Sequence, residues 1–155
     1  MQVGLRLQRW GKLSARERLH LVGCVVGLWG VHASLALLGY GRTRRLIERG
    51  CVHPSPHPAS AAEIADAQAL ARLAASAGAN ALGEATCLRR ALLLHGWLRR
   101  RGLQPALLLG LPANAAAPAP GDFSAHAWVE LEGVPLLESD VGYRPFVPAS
   151  PAPQA

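Results

Sequence analysis

The feature that most constrains this 155-residue chain is a strict alternation from Phe123 to Leu131, closed by a turn signal. His126, Trp128 and Glu130 fall on one face of an extended segment, with Ala125, Ala127, Val129 and Leu131 on the other. Glu132-Gly133 reverses the chain, and Val134 to Glu138 returns as a second strand. Upstream, Gln104 to Leu111 reads as a buried strand, and Leu88 to Gly102 as an apolar, Arg-rich helix. Thr86 is placed to cap that helix and Cys87 to sit in its first turn. A helix laid on a small antiparallel sheet is the expectation.

A thiol at a helix N-terminus lies where backbone N–H groups point outward and the helix dipole is positive, which favours the thiolate. Arg89 and Arg90, within a turn, add positive field if they point towards the sulfur. Taken alone, Cys87 reads first as a small packed hydrophobe, and His126 as a polar residue on a half-exposed strand. Together, in this order, they form the nucleophile and base that a thiol hydrolase or acyl transferase needs. His95 is no substitute for His126: eight residues along the same helix puts it about 12 Å from Cys87.

The turn decides which acid meets His126. A two-residue turn pairs His126 with Ser139. A three-residue loop over Leu131-Glu132-Gly133, with Gly133 left-handed, pairs it with Glu138 and puts Asp140 further along the same face. The second register is preferred because it sets a carboxylate beside the imidazole.

The blocks Thr86-Cys87-Leu88-x-Arg90-Ala91-Leu92, Leu98-Arg99-Arg100-Arg101-Gly102, Ala106-Leu107-Leu108-Leu109-Gly110 and Ala125-His126-Ala127-Trp128-Val129-Glu130 resemble the transglutaminase-like peptidase of lasso-peptide biosynthesis. The resemblance runs from about Thr86 to Asp140. It implies an α+β transglutaminase/papain-like domain that cleaves the leader from a ribosomally made precursor peptide, using no cofactor or metal. An ATP-dependent lasso cyclase then closes the macrolactam. By position, the nucleophile falls on Cys87 and the base on His126. The family's third residue is usually an aspartate, and that position holds Glu138, so Asp140 remains a rival. Residues 1–50 show helical apolar runs without the alternating strands of a leader binder, so a separate leader-binding protein is implied. Two other readings stand beside this one: an acyl transferase of the same fold, and a non-catalytic scaffold that docks the maturation complex on a membrane.

The net charge of +6 comes from arginine, since Lys12 is the sole lysine among sixteen basic residues. No aromatic-plus-basic patch or zinc-finger spacing accompanies it, which argues against nucleic acid. Ser14-Ala15-Arg16-Glu17 has capping-box spacing. Leu21 to Tyr40 then runs uncharged for twenty residues between basic clusters, long enough to span a bilayer. Its glycines, His32 and Ser34 favour a core helix or one lying at a membrane surface. Three cysteines, with no framework spacing, point to a reducing, cytoplasmic setting.

Residues 1–58 read as a helical region ending in the proline-rich linker Cys51-Val52-His53-Pro54-Ser55-Pro56-His57-Pro58, which lacks a fourth ligand at fixed spacing for a metal. Residues 59–146 form the catalytic region. Its first helix spans about Ala59 to Ala77, ended by Gly78, with Ile64, Ala67, Leu70, Ala71 and Ala74 inward. Pro112 to Gly121 is a loop bordering the cleft, with Gly110, Phe123 and Trp128 as candidate lining. Residues 147–155 read as a disordered tail.

Overall fold

Two capping boxes start the first two helices. The Ser14 N–H donates to Glu17 Oε2 (2.8 Å), and Ser14 Oγ accepts from the Glu17 N–H (3.2 Å). Ser60 and Glu63 repeat the exchange at 2.9 and 3.3 Å. From these starts, the computed structural model builds α1 (Ala15–Gly50) and α2 (Ala61–Ala81), followed by α3 (Cys87–Arg100). Residues 14–50, 55–81, 87–112, 125–136 and 143–148 are described.

α1 is interrupted at Gly39, whose backbone leaves the helical region (φ 72°, ψ 173°). α2 runs through Gly78 rather than stopping there. Its expected stripe is in place, with Ala67, Leu70, Ala71 and Ala74 buried. Ala77 is buried beside them, so packing carries the helix past a residue that propensity alone would make a stop.

The end of α3 follows from local chemistry. The Leu103 N–H reaches the Leu98 carbonyl (3.2 Å) and the Gly102 N–H the Arg99 carbonyl (3.1 Å), with Gly102 at φ 85°. This is a Schellman cap, and its apolar contact is the buried pair Leu98 and Leu103.

Four strands follow: β1 (Ala106–Pro112), β2 (His126–Leu131), β3 (Val134–Pro135) and β4 (Tyr143–Pro148). They pair antiparallel in the order β3-β2-β1-β4. Both edge strands contain proline, Pro135 on one and Pro145 and Pro148 on the other, where a missing N–H is tolerated. β4 takes in Val147 and Pro148, so the sheet extends into the stretch expected as tail.

The hairpin differs from the preferred register. Glu130 pairs with Pro135 and Leu131 with Val134, so a two-residue turn over Glu132-Gly133 joins the strands. Both turn residues have positive φ, 50° and 76°, as a type I′ turn requires. Glutamate is a poor choice for that backbone. The compensation comes from afar: the Glu132 carboxylate accepts the Ala59 N–H at 2.9 Å. The Leu136 N–H continues the same phase to the Val129 carbonyl (2.9 Å), which removes the geometric ground for setting Glu138 opposite His126.

α3 is the centre of the molecule. It packs against α1 and α2 on one side and against β2 and β1 on the other. Ala91, Leu92, Leu94 and Leu98 are fully buried there, with Ala127, Val129 and Leu131 of β2 in the same apolar cluster. The architecture is α+β, as expected.

Candidate active site

Cys87 is the first helical residue of α3 and is half-buried. Two facts place it there. The helix is anchored by its buried Leu92, Leu94 and Leu98 face, and β2 runs beneath it. The Cys87 thiol donates to the Ala125 carbonyl across 3.9 Å, a long sulfur contact. The sulfur therefore lies against the backbone of the residue immediately before His126. The first N–H groups of α3 have no carbonyl partner within the helix and supply both positive potential and hydrogen-bond donors for an oxyanion at this end.

His126 opens β2 opposite Gly110 of β1. Its ring stacks on Trp128 (5.9 Å between centroids, 14° between planes) and leans on Tyr143 of β4 (4.7 Å, 34°). Beneath it, Trp128 is fully buried, and its indole N–H donates to Glu130 Oε1 (2.9 Å). Gly110 makes this layer possible. A Cβ there would stand 2.7 Å from the Arg144 carbonyl oxygen and 2.8 Å from the Trp128 ring. Trp128 thus supports the imidazole from below rather than lining an open cleft.

Tyr143 is the site residue that the sequence reading missed. Its strand was hidden by the prolines at 145 and 148, which break a strand pattern read from sequence. The alternating Tyr143 and Pro145, seen as an edge strand, was the available signal.

The structure thus brings Cys87 and His126 to the same end of β2. Glu138 and Asp140, the two candidates for the third role, lie outside the described residues, as do Thr86 and Phe123. Arg89 and Arg90 are half-buried in the first turn of α3.

His95 and His57 sit away from the thiol. His95 is buried in the core, its Nδ1 without a hydrogen-bond partner among the described residues. Burial, reinforced by the Arg99 charge, pulls its pKa down to about 4 and keeps the ring neutral. His57 belongs to the second capping box: its Nε2 meets Glu63 Oε1 at 3.0 Å, and its backbone N–H donates to the Gly102 carbonyl (2.9 Å). The Glu63 carboxylate raises His57, while His57 and then Ser60 hold Glu63 down at about 2. Of the proline-rich linker's expected polar residues, Cys51 and His53 lie outside the described residues. Among the described residues, no three His, Cys, Asp or Glu side chains are grouped to hold a metal ion.

A cavity of about 370 Å³ lined by Glu17, His20, Asp66, Arg72 and Arg101 lies elsewhere. Arg101 follows the C-terminus of α3, about 20 Å along the axis from Cys87, so this groove is separate from the thiol site.

A family model for the transglutaminase-like superfamily matches residues 28–150, a span that includes Cys87 and His126. No curated protein and no solved structure matches the chain.

Proposed function

The chain belongs to the transglutaminase-like superfamily, and from that premise we propose that it is a cysteine peptidase that removes the leader from a ribosomally made lasso-peptide precursor. The observation that carries this reading is the thiol of Cys87 at the start of α3, set against the strand at the residue before His126. The sequence blocks around both residues support the leader peptidase among the activities of that superfamily.

The chemistry follows from those positions. His126 takes the Cys87 proton, and the thiolate attacks the scissile carbonyl. N–H groups at the start of α3, including that of Cys87, hold the oxyanion of the tetrahedral intermediate. The intermediate collapses to a thioester, and His126 protonates the departing amine. Water, deprotonated by His126, then hydrolyses the thioester to a free carboxylate and returns the thiol. A carboxylate, Glu138 or Asp140, fixes the imidazole tautomer. A separate leader-binding protein delivers the precursor, and a separate cyclase consumes the product. An acyl transferase of the same fold would use the same thioester but pass it to an amine.

The test is mass spectrometry of a precursor peptide incubated with the protein and its leader-binding partner, comparing wild type with Cys87→Ala. A leader-sized mass loss leaving a free carboxylate, absent in Cys87→Ala, is the expected result. An amine conjugate would replace the peptidase with an acyl transferase. Precursor left intact by the wild type, with the partner shown to bind it, would leave a scaffold.

A further inference from the structure

α1 is apolar on both sides, but the fold covers only one. Its inner side docks on α3 through Gly23 and Gly27. The Trp97 ring lies 3.0 Å from where a Cβ on Gly23 would be, and Leu93 Cδ1 fills the place of a Cβ on Gly27. Cys24, Leu28 and Val31 are buried on that side.

On the opposite side Leu19, Val22, Val26, Trp29 and Leu37 all face outward. They lie at helical spacings of three, four or eight residues, with exposed Ala33 completing the row. The ridge extends about 27 Å from Leu19 to Leu37 and has no charged residue on it. Leu37 is 81% and Leu19 73% exposed, far more than a small fold leaves open to water without a partner.

We propose that this ridge is a membrane-surface face, and that α1 lies in the plane of an anionic bilayer with Leu19, Val22, Val26, Trp29 and Leu37 in the interface. Charge complementarity selects the occupant. Arg18 precedes the ridge, and exposed Arg42, Arg45 and Arg49 follow it, on a chain of net charge +6. Arginines at both ends of an apolar helix meet lipid phosphates, and an exposed tryptophan suits the boundary between headgroups and acyl chains.

α1 is also the one described helix long and apolar enough to cross a membrane. Crossing would pull Cys24, Leu28 and Val31 out of the core and uncover Leu93 and Trp97. Lying flat keeps both faces covered. This inference does not depend on the peptidase reading.

The test is flotation of the purified full chain with two kinds of vesicle, phosphatidylcholine alone and phosphatidylcholine mixed with phosphatidylglycerol. Binding to the anionic vesicles is expected to be at least about ten-fold stronger and to fall with added salt. The double variant Val26→Glu, Leu37→Glu is expected to lose about ten-fold or more while keeping its circular dichroism spectrum, since both positions are exposed. Three results would overturn the proposal. One is flotation with neither vesicle. Another is a wild-type dimer that the double variant turns into a monomer, which would assign the ridge to a second copy. The third is retention on anionic membranes after an alkaline carbonate wash, which would mean that α1 spans.

Discussion

Acidification should destabilise this fold in a way that replacing His95 cures. His95 is buried, its Nδ1 is unpartnered among the described residues, and burial together with Arg99 holds its pKa at about 4 against an ordinary 6.5. Between those values the unfolded chain takes up a proton that the folded chain refuses. Stability therefore drops as pH falls from about 6.5 to about 4, and His95 contributes no slope above or below that window. At about 1.4 kcal/mol per pH unit the loss amounts to about 3 kcal/mol. For a domain of this size that is a large part of the total. The perturbation is His95→Leu, which keeps the volume and removes both the titrating ring and the unpaired nitrogen. At neutral pH the variant should match or exceed the wild type, because the buried, unpaired Nδ1 is removed with the ring. Urea unfolding followed by circular dichroism, from pH 7.5 down to 4, gives the two curves. They should converge or lie parallel at the top of the range and diverge by about 3 kcal/mol at the bottom. Curves that stay parallel across the window would refute the reasoning, whatever their offset.

Gly110→Ala should keep the protein folded but cut the proposed peptidase turnover by about ten- to a hundred-fold, since the methyl group meets the Arg144 carbonyl and pushes the Trp128 ring on which His126 stacks. Turnover of the precursor read beside near-ultraviolet circular dichroism checks it, and full activity would remove Trp128 as the support of His126. Glu63→Gln should keep the capping box, where Gln serves as well as Glu, but lose the ion pair with His57. Because Glu63 is held down and His57 up, the pair stabilises most between the unfolded values of 4.5 and 6.5. It fades as pH falls towards 2 or rises through the elevated His57 value. Melting temperatures of wild type and Glu63→Gln should therefore differ most near pH 5 to 6 and converge on either side, and a constant difference would remove the pair.

What the sequence carried was whatever its nearest neighbours enforce. Ser14 with Glu17, the placement of Cys87 at the head of α3, the end of α3 at Gly102 and the alternation of β2 all rest on contacts within a few residues. The superfamily was legible because the two candidate residues, Cys87 and His126, sit in such local blocks. Tertiary contact decided the rest. Glu132 takes a left-handed backbone because Ala59, 73 residues away, donates to its carboxylate, and that two-residue turn sets the register behind His126. Tyr143 meets His126 only because β4 joins the far edge of the sheet beyond β1. The burial of one face of α1 and the exposure of the other depend on where α3 lies, which no periodicity in the uncharged stretch Leu21 to Tyr40 can reveal. Local chemistry fixes what each segment becomes, and contacts distant in sequence fix which side of it meets the core, the site or the outside.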